Sequence, residues 1–212
     1  SDLTINLVGD NKIVNNKDIR GSGIFVFDGN LTITGNGSLR VEASFVGINV
    51  NGTITLENGN VTVDTETLFE SEFSLGIGFD SMLMKAGSLK VTTDMGGLAK
   101  LDPEGSIIVN GGRLEVAVNV EGTTAIELNE EEDIVPSFIS TGHYENVMRM
   151  GSVNSDGSDA DFMESDKMDT YKYICIYKNT APRPSVTPTF TATPSASPIP
   201  SESPEPSESP TP

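Results

Sequence analysis

Apolar and polar residues alternate through the first 128 residues, and the alternation comes in repeated units. Four segments, LTITGNGSLRV (31–41), ITLENGNVTV (54–63), MLMKAGSLKV (82–91) and IIVNGGRLEV (107–116), each read as two strands around a Gly/Asn turn. A variable loop and a third short apolar strand follow each one: GINV (47–50), GIGF (76–79), GLAKL (97–101) and AIEL (125–128). GIFVF (23–27) fills the same slot ahead of them. From Ile24 through Ile48, Ile77, Leu98 and Ile126 the steps are 24, 29, 21 and 28 residues. Strand-built periods of this size specify an all-β solenoid whose coils stack, here about four to five of them.

Within each unit one parity carries the aliphatic residues. Leu31/Ile33, Ile54/Leu56, Met82/Met84 and Ile107/Val109 point inward from the first slot, and Leu39/Val41, Val61/Val63, Leu89/Val91 and Leu114/Val116 from the second. Ile24/Val26, Ile48/Val50, Ile77/Phe79 and Ile126/Leu128 do so from the third. Period-2 alternation is what a sheet with one buried face requires. Each coil then buries about six aliphatic side chains, each contributing on the order of 1.5–3 kcal/mol before the entropy cost. The turns NGS, ENGN, KAGS and NGGR hold Gly and Asn because both tolerate positive φ. The loop after the second strand varies and is longest at 65–75, where a function would be placed on a rigid scaffold.

Both ends of a solenoid need shielding, since an open coil exposes strand edges and core. Residues 1–13 read as an opening strand, Leu3/Ile5/Leu7, and an incomplete coil. At the far end residues 129–180 are the expected cap. Leu83 and Ile108 sit at outward positions where other copies carry Thr, so Tyr144–Met150 or 171–177 is expected to lie over them.

Composition separates a third region. Residues 181–212 hold ten of the twelve prolines and twelve Ser or Thr, which cannot bury enough surface to order and reads as a disordered Pro/Ser/Thr-rich linker or stiff spacer. The net charge is −18, with 12 acidic residues in 1–100, 16 in 101–180 and 3 beyond. An acidic chain without a basic cluster argues against nucleic acid and anionic membrane surfaces as partners. No apolar run reaches the ~18 residues of a membrane span. The one cysteine, Cys175, excludes an internal disulfide and reads as a small buried residue. The chain starts at Ser1 and is read as a mature fragment, with any export signal or anchor outside it.

These copies, with LTITGNGSL and the GINV and GIGF slots, resemble the carbohydrate-binding, right-handed parallel β-helix domains of bacterial cell-surface proteins, relatives in shape of the pectate-lyase superfamily. The segment MRMGSVNSDGSDADFMESDKMDTYKYICI (148–176) is similar to a short β unit that often follows such helices. The resemblance spans roughly residues 1–180. It implies an exported, non-catalytic module that binds acidic or neutral plant polysaccharide with calcium; the chain is further expected to be monomeric.

The residues themselves offer little catalytic chemistry. His143 is the one histidine, and no nucleophile–base arrangement can be drawn around it or Cys175. Arg40 and Lys90 occupy an outward column Arg40/Thr62/Lys90/Glu115, beside a second column Glu42/Asp64/Thr92/Ala117. Coils stack about 4.8 Å apart, so Glu42 and Asp64 are carboxylate neighbours that repel unless a cation or a basic side chain lies between them. Calcium is one reading; a solvated face flanked by Arg40 and Lys90 is the other. Asp156, Asp159 and Asp161, with Glu164, form a second acidic group around Gly157, without the spacing of an EF-hand loop. NEEED (129–133) reads as a solvated run. Four Asn-x-Ser/Thr triplets begin at Asn30, Asn36, Asn51 and Asn60 and read as repeat grammar.

Sugar recognition draws on aromatic faces, and there is no Trp. Phe69 and Phe73 in the long loop either stack on a pyranose, with Glu66, Glu70 and Glu72 accepting hydrogen bonds, or pack the loop onto the wall. Three functions follow: a carbohydrate-binding module with the ligand along the stacked coils, a structural or adhesive display module, and a degenerate polysaccharide lyase.

Overall fold

The computed structural model describes residues 1–15, 20–67, 73–102, 104–127, 139–140 (backbone), 147–164, 167 and 170–178. Thus Phe69, His143, Tyr144, the run 129–133 and the tail 181–212 lie outside the described residues. Residues 1–180 form one compact unit, and its strands build a parallel β-solenoid of about four turns.

Three slots recur in each turn, as the alternation predicts. The first is filled by β1 (Leu3–Leu7), β4 (Leu31–Gly35), the second half of β6 (Val46–Leu56), the second half of β8 (Leu75–Met84), β11 (Ile107–Val109) and β14 (Ile139–Ser140). The second holds β2 (Asp10–Val14), β5 (Ser38–Ala43), β7 (Asn60–Thr65), β9 (Ser88–Thr93) and β12 (Arg113–Val118). The third holds β3 (Ser22–Val26), the first halves of β6 and β8, β10 (Gly96–Lys100) and β13 (Ile126–Glu127). Slots one and three belong to one hydrogen-bonded sheet, here sheet A, because β6 and β8 run unbroken from the third slot into the first. The second slot forms sheet B.

Register follows the aliphatic rows. Ile24 pairs with Ile48, Ile48 with Ile77, Ile77 with Leu98 and Leu98 with Ile126. Every inward residue named from the sequence for these rows is buried in one continuous core wherever it is described. The first coil is fuller than an incomplete one: β1 and β2 pair along their whole lengths with β4 and β5.

Glycine shapes two corners. At the tips between slots one and two, Gly59 and Gly87 take φ of 93° and 79°, a region that a side chain resists. At the corner leading into slot three, Gly23, Gly47, Gly76 and Gly97 stack beside Val41, Val63, Val91 and Val116. A Cβ on any of them would lie within 2.1 to 2.5 Å of that valine's Cγ1. Asparagines bind coil to coil: Asn30 Oδ1 accepts from Thr53 N (2.9 Å), Asn36 Oδ1 from Asn58 Nδ2 (2.8 Å) and Asn60 Oδ1 from Ser88 Oγ (2.7 Å). Repeat grammar therefore accounts for three of the four Asn-x-Ser/Thr triplets.

The C-terminal unit corrects one expectation. β17 (Tyr173–Lys178) does not lie over Leu83 and Ile108. It pairs antiparallel with β12, then with β15 (Val147–Ser152), which pairs with β16 (Asp161–Phe162). Sheet B is thus extended past the last coil with reversed strands, and Tyr171, Ile174 and Ile176 enter the core. Leu83 and Ile108 are each other's neighbours in the ladder and half-buried. Cys175 is buried, and that burial pushes its thiol up in pKa, against the nearby Arg113 charge.

Candidate functional site

Sheet B presents its outward parity as three rows that cross the coils. One row is Lys12, Arg40, Thr62, Lys90 and Glu115; a second is Val14, Glu42, Asp64, Thr92 and Ala117; a third is Asp10, Ser38, Asn60, Ser88 and Arg113. β17 continues them with Cys175, Tyr173 and Tyr177. The inward residues of β5, β7, β9 and β12 are buried and aliphatic apart from Thr65 and Thr93, so the charged side chains of these strands have only the outer face.

Two ion-pair groups occupy this face. In the first, Glu42 Oε1 takes both Lys12 Nζ and Arg40 Nε at 2.8 Å, while Arg40 Nη2 reaches Asp64 Oδ2 at 2.9 Å. That last approach is an ion pair without hydrogen-bond alignment, so the buried Asp64 Oδ2 lacks an aligned donor. In the second group Glu115 receives Lys90 Nζ at 3.1 Å and Arg113 Nη2 at 2.9 Å. The Arg113 guanidinium also lies 5.2 Å from the Tyr177 ring centroid, within cation–π range. Lys12, Arg40, Lys90 and Arg113 keep 52, 56, 54 and 48% of their side-chain surface exposed.

The carboxylates respond to these partners. The Lys12 hydrogen bond, with the Lys12 and Arg40 charges, holds Glu42 below the usual carboxylate range despite some desolvation. For Glu115 burial pushes upward, but Arg113 and Lys90 together outweigh it and the net shift is downward. Glu127, at the end of the third slot, is raised by burial.

The expected ligands fall into place unevenly. Glu42 and Asp64 are register neighbours, as their column requires. The positive charge between them belongs to Arg40, in a hollow of about 140 Å³ lined by Arg40, Glu42, Ala43, Asp64 and Glu66. Among the described residues no three His, Cys, Asp or Glu side chains form a set that could hold a metal ion. Asp156, Asp159 and Asp161 do not converge either. Asp156 Oδ1 accepts from Ser158 N (3.0 Å), Asp161 Oδ1 from its neighbour Phe162 N (2.7 Å), and Asp159 pairs with Ser152 Oγ. Phe73, 42% exposed, meets Phe45 edge to face at 6.4 Å, and Phe45 packs on Val46, Leu75 and Ala99.

Lys12 and Arg113 were not singled out in the sequence. Lys12 was legible in principle, because it stands one coil ahead of Arg40 in the same row.

A parallel β-solenoid with one polar, ion-paired sheet face defines a repeat module that offers a long, shallow surface. The chain belongs to the family described as carbohydrate-binding domain-containing protein, whose model matches residues 1–182. Neither the curated proteins nor the solved structures yield a match. Carbohydrate is the partner class this family carries.

Proposed function

We propose that the chain is a non-catalytic module that binds an extended acidic polysaccharide across the outer face of sheet B. The observation that supports this most is the row of Lys12, Arg40 and Lys90, interrupted only by Thr62 on the coil between the last two, with Arg113 in the adjoining row, each cation about half exposed. Coils advance by about 4.8 Å, comparable to one pyranose unit, so sugar carboxylates can meet Lys12 and Arg40 on neighbouring coils and Lys90 two coils further on. Glu42, Asp64 and Glu115 hold the cations in place and accept hydroxyls. Arg40 supplies the positive charge that calcium was expected to bring. A pectate-lyase-like shape, placement outside a bacterial cell, a monomeric state and a spacer at 181–212 complete the reading.

Affinity electrophoresis in polygalacturonate tests it. The chain is retarded, retardation weakens with added salt, persists in EDTA, and falls about tenfold in affinity for Arg40→Ala/Lys90→Ala, from loss of two charge-assisted contacts. Unchanged retardation of the double variant overturns the site. Loss on chelation returns calcium to it, and growth of unsaturated-uronide absorbance makes the module a lyase. Display without sugar binding is the second reading, favoured by the ion pairs that neutralise the face from within. It gains if no polysaccharide retards the chain.

A further inference from the structure

The first coil carries a groove that the repeat does not explain. Phe25 takes the outward position of β3, between inward Ile24 and Val26; on later coils its ladder partners are Asn49, Gly78, Ala99 and Glu127. Phe27 follows just past the strand end. They are 55 and 73% exposed, with ring centroids 6.1 Å apart and planes at 62°. Together with Ser1, Asp2, Leu3, Val26 and Asp28 they line a groove of about 400 Å³, within the size range of small-ligand sites, and the Ser1 ammonium there donates to the Asp28 carbonyl oxygen. Asp2 Oδ1 accepts from both Asn30 N (2.8 Å) and Asn30 Nδ2 (3.1 Å), and Asn30 in turn binds the next coil. One carboxylate of the groove is therefore fixed by the scaffold.

We infer that this groove is a second sugar site, for an uncharged pyranose chain. Exposed rings offer the apolar face that the axial C–H groups of a pyranose can cover, and each keeps a π-face that water solvates poorly. Carboxylates beside the rings accept the sugar's hydroxyls. With Asp2 and Asp28 against the single Ser1 ammonium the groove stays net negative and disfavours a uronate, which separates it by charge from the cations on sheet B. The inference rests on the family's carbohydrate binding and is independent of the sheet B reading.

The test uses the whole chain with two soluble probes, the neutral polymer xyloglucan and polygalacturonate. Xyloglucan retards the wild type in affinity electrophoresis, and Phe25→Ala/Phe27→Ala weakens that binding about tenfold or more. The variant's melting temperature and polygalacturonate retardation stay as in the wild type, because neither ring is in the core. Arg40→Ala/Lys90→Ala leaves xyloglucan binding intact. No retardation by xyloglucan, or equal retardation of the Phe variant, overturns the groove while leaving sheet B untouched. Concentration-dependent self-association of the wild type that the Phe variant loses, without xyloglucan binding, overturns it in favour of a second copy of the chain.

Discussion

Gly76 shows how little room a single position has. A Cβ there would stand 2.2 Å from Val91 Cγ1 and 2.6 Å from the Gly97 carbonyl oxygen, and neither the core valine nor the backbone can yield cheaply. Gly76→Ala should destabilise the solenoid by about 1–3 kcal/mol, read as a lower urea midpoint with unchanged m-value. Glu127 presents the opposite case, a side chain the fold would rather have neutral. Its folded-state pKa is raised from 4.5 by burial, so ionisation costs stability. That cost is absent below about pH 4.5, where folded and unfolded forms are both protonated, and it grows as pH rises through the raised value. Glu127→Gln should therefore raise the melting temperature at pH 7 and leave it unchanged near pH 4. The Glu42–Asp64 adjacency was legible because a solenoid column needs only the period. Arg40 as their flanking charge was legible too, as one of two readings, and the structure has it paired with both; Lys12's share in Glu42 was not, because its segment read as an incomplete coil. Phe25 and Phe27 escaped notice for a simpler reason: alternation within GIFVF draws attention to the inward residues.

At the scale of elements, the inner rows of β4, β5, β7, β9 and β12 could be read directly. Burying one parity of a sheet fixes both register and facing. The direction of β17 could not. YICIY and the coil strands share the same alternation, and period-2 patterning carries no sign for parallel or antiparallel pairing. That is why a lid over Leu83 and Ile108 was expected where a sheet extension formed. The consequence is testable. β17 covers the free edge of β12 and brings Ile174, Ile176 and Tyr171 into the core; without it that edge is open to pairing with other chains. A chain ending at residue 146 should bind a hydrophobic dye and elute as aggregates on size exclusion, whereas the chain ending at 180 should remain discrete. Equal behaviour of the two would mean that the coils close themselves.

For the whole molecule, the unbroken course of β6 and β8 makes the coils unequal. Both strands pass from the third slot to the first without ending, so the central turns stay paired from Val46 to Met84 across a single register shift between Val50 and Thr53. On either side the slots are served by separate strands, β3 and β4 before, β10 and β11 after, each joined by a turn. Pulled from its two ends, such a chain would yield like a zip opening from both sides. The outer turns would peel away at low force, and a middle knot of roughly forty residues would give way last in one large step. A module held between a surface and a taut polymer would thus let out length gradually while its centre stayed wound.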